Sequence, residues 1–363
     1  MRRAAMSYRP IKFCAILLAW IMNRSIEMIN MYRSISIIIP THQRAELLAR
    51  TLMSMLKLEI PTGTDVELIV AANACSDQTP EVVQEAAAHL PFPVRCVIEP
   101  IPGAARARNT AMRNSNSDYF LFHDDDVSIY PGCLKNLLDA FDQTEADIVL
   151  GKVELWWEAV ARPDWFDAHL ASLLSEVDLA DEIIQIKELH GASANMAIRR
   201  TLAETVGLFR IGLDRIGNRI LSAGETDLIE RTMRAGGKVV YTPLACVKHW
   251  VAPHRLSLEY LLQVEYGNAY SMMLRWDRPP PMEVARTIVI KSFRYLSRQL
   301  RALSAATAGN QNSYRKFRLG AASAGGALAG LIRRSRAGSL AYCSPLSSRE
   351  QAAQSHEEVT SWQ

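Results

Sequence analysis

Three consecutive aspartates, Asp124, Asp125 and Asp126, stand at the end of an apolar run over residues 119–122. Like charges held so close repel one another and push at least one carboxyl towards its protonated form, a conflict that a bound divalent cation removes. Carboxylate oxygens suit hard cations such as Mg2+ or Mn2+, which bind through one or two carboxylates together with substrate phosphates. Alternate residues of an extended segment point the same way, so Asp124 and Asp126 are expected to face one ligand and Asp125 the sheet end or the substrate. A solvated acidic turn is the competing reading, but such a turn needs no rigid apolar strand beneath it, whereas a metal site does.

The elements that would hold this triplet are written in the hydrophobic pattern. A β-branched run over 35–39 ends at Pro40 and is followed by helical apolar spacing over 45–55. The unit recurs as a strand over 67–71 and a helix over 80–89, then as a strand over 94–98, a helix over 104–113 and the strand over 119–122. This alternation predicts an α/β fold, a mostly parallel sheet with helices on both faces. Ligands of such sheets bind beyond the carboxyl ends of the strands. Three polar loops lie there: Thr41-His42-Gln43-Arg44, Asn73-Ala74-Cys75-Ser76-Asp77 and His123-Asp124-Asp125-Asp126. After residue 151 the pattern is less regular, with Trp156, Trp157 and Trp165, a loop and helix around 190–205, and a helix over 224–235.

Composition bounds the function. The 363 residues are 49% hydrophobic and 22% charged, enough for a substantial core, and a net charge of +3 without a dense Lys/Arg face argues against a nucleic-acid partner. The cysteines, Cys14, Cys75, Cys96, Cys133, Cys246 and Cys343, are scattered without zinc or redox spacing, which fits a reducing, cytoplasmic setting. An apolar run over 11–22 follows Arg2, Arg3 and Arg9 and is too short to span a bilayer, so it is either a weak membrane-surface segment or an extension outside the fold.

From residue 34 to 267 the chain resembles a family-2 glycosyltransferase. The segments that carry the likeness are, in order, SIIIPTHQRAELLARTLMSM, ELIVAANACSDQTPEVV, PGAARARNTAM, FLFHDDDV, GASANMAIRR and GETDLIERTMRAGGKVVYTPLACVKH. The resemblance implies a GT-A fold and an inverting displacement that moves a sugar from a nucleoside-diphosphate donor to a hydroxyl acceptor, a glycan or lipid-linked glycan in cell-surface polysaccharide or glycoconjugate synthesis. It implies that Asp124, Asp126 and His249 hold Mg2+ or Mn2+, and that Pro40, Thr41, Arg44, Asn73, Asp77, Gly103, Arg108, Asp124 and Asp125 bind the nucleotide sugar. Asn195 and Arg199 fall in the acceptor-side segment, where a conformational role is the alternative to substrate contact.

A diphosphate leaving group needs a cation, and a weakly acidic hydroxyl needs a base in line with the bond that breaks. The gapless match puts Glu225 at the family's base position and Asp227 in reserve, with compensation of the helix dipole as the bland alternative. Gly224 stands where the family usually has a first acidic residue. In the base-reading turn Ala72 and Asn73 replace a usual acidic residue; an amide both donates and accepts, which leaves uridine and guanosine donors open. His42, His123 and His190 each adjoin a motif without being ligands on sequence grounds, and packing outweighs sugar stacking for the three tryptophans.

Beyond Pro279-Pro280-Pro281, Val289, Phe293, Leu296, Leu300 and Leu303 recur at helical spacing beside Lys291, Arg294, Arg298 and Arg301. Such a helix either lies on an anionic membrane face or docks on the catalytic domain with its basic side in water. The expected organisation is an N-terminal extension over 1–33, a nucleotide-sugar half over 34–150, an acceptor and catalytic-base half over 151–278, a C-terminal helical extension over 279–334 and a disordered tail over 335–363. Two rivals are kept. A sugar nucleotidylyltransferase would carry a Gly-rich, Arg- and Lys-containing loop after the first strand; a non-catalytic sugar-nucleotide or glycan-binding protein would explain the altered Gly224-Glu225 element.

Overall fold

A computed structural model describes residues 33–187, 194–217, 219–276 and 280–337. The extension up to residue 32, His190 and the tail beyond 337 lie outside the described residues.

In chain order the elements are β1 (Arg33–Thr41), α1 (Ala45–Ser54), β2 (Thr64–Asn73), α2 (Thr79–His89), β3 (Val94–Glu99), α3 (Ala104–Arg113), β4 (Tyr119–His123), β5 (Val127–Ile129), α4 (Cys133–Thr144), β6 (Ile148–Trp156) and α5 (Ala168–Leu173). There follow β7 (Ile184–Gln185), β8 (Asn195–Arg199), α6 (Arg200–Val206), β9 (Asp214–Ile216), β10 (Arg219–Ser222), α7 (Gly224–Arg234), β11 (Val239–Trp250), α8 (Leu258–Arg275), α9 (Pro281–Thr307) and α10 (Gln311–Ala337).

The main sheet runs β3-β2-β1-β4-β8-β6-β11-β5, with β7 also on β11, and β9 and β10 form a separate hairpin. Strands β1 to β4 are parallel, which explains why Ile35, Ile37, Ile38 and Ile39 are all fully buried: a strand covered on both faces has no polar side to alternate with. Because β2 lies on one flank of β1 and β4 on the other, the order reverses between β1 and β4. That switch point opens a crevice at their carboxyl ends, where Thr41 finishes β1 and Asp124 follows β4.

Two readings of the second half are corrected. The stretch around 190–205, expected as loop and helix, contains β8, which runs antiparallel between β4 and β6 before α6 begins. Its core is only Met196-Ala197-Ile198, a run too short for periodicity to type. The second is a strand that the sequence pattern places over 238–241, before Pro243: β11 continues past Pro243 to Trp250, its pairing with β6 shifting between Thr242 and Cys246, and this carries His249 to the site.

The C-terminal helices brace the hairpin. A Cβ on Gly326 or Gly330 of α10 would land on the carbonyl of Tyr266 or Tyr270 in α8, and one on Gly267 of α8 would land on the carbonyl of Ile220 in β10. Glycine is needed at these crossings for close backbone approach. Among the described residues no helix is long and apolar enough to cross a membrane.

Candidate active site

The aspartate loop sits in the β1/β4 crevice with its three side chains sorted by partner. Asp125 turns to β1, accepting from Thr41 Oγ1 at 2.7 Å and pairing with Arg44 at 2.6 Å. Asp126 takes its second oxygen to Arg44 and Arg255, each at 2.8 Å, while Oδ1 faces His249 Nε2 at 3.1 Å. Asp124 is the most open of the three and lies 3.9 Å from His249. Burial alone would raise Asp126, but the charges of His249, Arg255 and Arg44 outweigh it and hold this carboxyl well below the usual range. Asp125 goes the other way: burial, helped by the charge of Asp126, outweighs Arg44 and pushes it up to about 6. The loop is pinned from below, since Thr51 Oγ1 donates to the Asp125 carbonyl and Trp250 N to the Asp126 carbonyl.

Asp124, Asp126 and His249 offer ligand atoms all within 4.8 Å of one another. Asp126 Oδ1 is buried and, beyond His249 Nε2 at 3.1 Å, meets no donor among the described residues, a costly state for a carboxylate oxygen unless a cation completes it. Two carboxylates and an imidazole are a donor set suited to Mn2+ and acceptable to Mg2+. The residues therefore fit a divalent ion.

On the other side of the crevice stands Arg108, buried in α3. Its guanidinium reaches Glu225 at 2.8 Å, Asp214 at 3.2 Å and Asp124 at 3.5 Å. Arg108 is thus occupied by carboxylates of its own chain rather than presented to phosphate oxygens. Glu225, at the start of α7, uses Oε1 for Arg108, and its Oε2 makes no hydrogen bond to a described residue. Asp227 differs: Arg210 at 3.3 Å and Arg231 at 2.8 Å bracket it, and it is only 2% exposed. A carboxylate closed in this way braces α7, whereas Glu225 is the one of the two that faces Arg108.

Other expected contacts are spent on the fold. Asn73 donates to the carbonyls of Glu99 and Ile101 and accepts from Gly103 N, so its amide joins the end of β2 to the start of α3 instead of meeting a nucleobase. Asp77 accepts from Ala45 N and Thr79 Oγ1, tying α1 to α2. Asn195 is fully buried and donates to the carbonyls of Lys152 and Ala245, tying β8 to β6 and β11. Arg199 binds the Ala146 carbonyl and the Tyr119 hydroxyl at the amino end of β4, roughly 13 Å along the strand from Asn195 and away from the crevice. His123 is buried against the Ala194 carbonyl and burial pushes it down to about 4, while His42 bonds the Asn73 carbonyl. Trp157 packs edge-on to Phe166 and Trp165 lies beneath Arg315. Pro40 is the penultimate residue of β1, and Gly103, with φ 146°, precedes α3 and donates its N–H to Asn73 Oδ1.

Three site residues escaped the sequence reading. Arg255 and Arg210 carried no signal, being single arginines outside any motif. Asp214 had an indirect one in the glycine at 224, where an acidic residue was expected.

Known proteins agree with this arrangement. The model of "Glycosyl transferase family 2" matches residues 36–207. The chain is 28% identical over 237 residues to the succinoglycan biosynthesis protein ExoM of Rhizobium meliloti, covering 64% of this chain and 73% of that protein. It is 27% identical over 119 residues to the poly(ribitol-phosphate) beta-N-acetylglucosaminyltransferase TarS of Staphylococcus aureus, spanning 33% of this chain and 21% of TarS. Among solved structures, the mannosyltransferase PcManGT from Pyrobaculum calidifontis, in complex with GDP-Man and Mn2+, aligns with a TM-score of 0.55 at 17% identity over 84% of this chain and 88% of that one, a likeness of fold. With the motif order and the aspartate crevice, these matches show that residues 36–207 are similar to glycosyltransferase family 2 and that the chain has the GT-A fold.

Proposed function

We propose that this protein is an inverting glycosyltransferase that moves a sugar from a nucleoside-diphosphate sugar to a hydroxyl acceptor, with Glu225 as general base. The observation that supports the reading best is Arg108, one buried guanidinium that ties Asp124 of the candidate cation site to Glu225. Donor and acceptor groups would meet across it. Asp124, Asp126 and His249 would hold Mg2+ or Mn2+, which supplies countercharge to the leaving diphosphate. Glu225 pairs with Arg108 through Oε1 and would use Oε2 to accept the proton of the acceptor hydroxyl. Succinoglycan biosynthesis, printed in the name of ExoM, supports an acceptor in polysaccharide or glycoconjugate synthesis. The test is a thermal-shift screen of UDP, GDP and their sugars with and without Mn2+. Ligand at about a hundred times its Kd adds roughly 2.7 kcal/mol to stability, an upward shift expected only when nucleotide and Mn2+ are both present. Equal shifts with and without Mn2+ would overturn the metal assignment, and stabilisation without any donor hydrolysis or transfer would favour a binding protein.

The outer face of α9 supports peripheral contact with the cytoplasmic face of a membrane. Val289, Phe293, Leu296, Leu300 and Leu303 are each more than 60% exposed, flanked by Lys291, Arg294, Arg298 and Arg301. Leaving so many large apolar groups in water is unfavourable, and the basic flank selects an anionic surface. Vesicles containing phosphatidylglycerol should sediment the protein at low salt, and the double variant Phe293→Glu, Leu300→Glu should stay in the supernatant. Equal recovery on neutral and anionic vesicles would reject this.

A further inference from the structure

The β9–β10 hairpin brings a carboxylate to the one position at the start of α7 that has no side chain. A Cβ added to Gly224 would land on the carboxylate of Asp214, overlapping its carbon and both oxygens. The φ of Gly224 is one that any residue adopts, so the glycine answers a need for space and not for backbone freedom. The space holds charge: Asp214 Oδ1 accepts from Gly224 N at 2.8 Å, and Oδ2 lies 3.2 Å from the same Arg108 nitrogen that donates to Glu225 at 2.8 Å.

We propose that Asp214 supplies, from the hairpin, the carboxylate that position 224 lacks, and that by sharing Arg108 it positions Glu225 and keeps it basic. The proposal rests on Glu225 being the base. A helix cap alone does not account for the arrangement. Serine or asparagine would cap Gly224 N as well, whereas a second buried carboxylate beside Glu225 is costly unless its charge is used. Among the described residues the charges that act most on Asp214 are in the same cluster: Glu225 and Asp227 from α7, and Arg108 from α3. Burial and the charge of Glu225 push Asp214 up to about 7, against the opposing pull of Arg108 and Gly224 N. Near neutral pH the two carboxylates therefore compete for one guanidinium. Were Asp214 uncharged, Arg108 would pair with Glu225 alone and weaken it as a proton acceptor.

Three variants test this: Asp214→Asn, Gly224→Glu, and the exchange Asp214→Gly with Gly224→Glu, which moves the carboxylate from hairpin to helix. Transfer rate, donor affinity and the pH profile are measured for each, beside Glu225→Gln in the same assay. Asp214→Asn should keep donor affinity within about twofold while transfer falls roughly tenfold or more, since only base strength and placement change. Its acid limb should move to lower pH than the parent's, because the like-charged neighbour that shares Arg108 is gone. Gly224→Glu alone should lose transfer through collision with Asp214, and the exchange should recover at least about tenfold of it, a coupling that independent sites do not show. An Asp214→Asn variant with parental rate and an unmoved acid limb overturns the proposal, whether or not the exchanged protein folds. A folded exchange variant no better than Gly224→Glu does so as well. If Glu225→Gln is itself fully active, the base assignment falls; if it is inactive while Asp214→Asn matches the parent, only the role of Asp214 falls.

Discussion

With Glu225 as the proposed base, replacing it with glutamine should lower sugar transfer by a factor on the order of 10^2 to 10^4, the usual cost of losing a general base, while donor affinity should hold. The amide is nearly the size of the carboxylate and its oxygen can still accept from Arg108 Nη1, which now lies 2.8 Å from Oε1. What is lost is the capacity of Oε2 to take a proton. Because Arg108 also reaches Asp124, the substitution leaves the cation side in place, so the damage appears in kcat and not in donor Kd. Asp227→Asn gives the opposite signature. Its carboxylate pairs with Arg210 and Arg231 in the interior, and breaking a buried ion pair costs on the order of 3–5 kcal/mol, so the variant should lose thermal stability before it loses chemistry. Transfer kinetics, donor titration and melting curves on both variants check the pair of expectations. A nearly active Glu225→Gln beside a well-folded but inactive Asp227→Asn would move the base to Asp227.

Much of the first half was legible because each element there is local and regular. The isoleucines of β1, the apolar run of β4 and the polar loops at their ends announce parallel strands and the crevice they share, and Asp124 and Asp126 follow from like charge in need of a cation. The second half was harder for physical reasons. β8 is short and buried between two strands, so its three apolar residues show neither period, and Asn195, polar in a motif, turns out to satisfy the carbonyls of Lys152 and Ala245 inside the sheet. Polar residue types at motif positions do not reveal whether their hydrogen bonds go outward or inward: Asn73 and Asp77 look like ligand contacts in sequence and are joints between elements in space. Arg255 and Asp214 come to the site from 129 and 106 residues away from their partners Asp126 and Arg108, separations that no local pattern encodes. The glycine at 224 was the one trace of Asp214, visible as a missing charge but not as the place where that charge had gone.

Asp126→Asn should abolish the proposed metal dependence of donor binding: affinity for a nucleoside diphosphate in Mn2+ should fall to the level seen with the metal chelated. Asp126 is the group on which the site converges, with Oδ1 beside His249 Nε2 and Oδ2 held by Arg44 and Arg255. The two arginines fix the orientation of the carboxylate and keep it ionised far into acid, so that its free oxygen is always available to a cation. An amide retains the shape but cannot carry the charge, and the cation then keeps only Asp124 and His249, too few anionic ligands to compete with water for Mg2+ or Mn2+. Asp125→Asn provides the contrast. Its carboxylate faces Thr41 and Arg44 and not His249, so the variant should bind the donor more weakly yet still respond to Mn2+. Calorimetric titrations of UDP and GDP into the parent and both variants, each with Mn2+ and with chelator, separate the two roles. A parent whose nucleotide affinity is the same in both conditions, or an Asp126→Asn variant that keeps a full Mn2+ response, would remove Asp126 from the metal site and leave its arginine pairs as a structural lock on the loop.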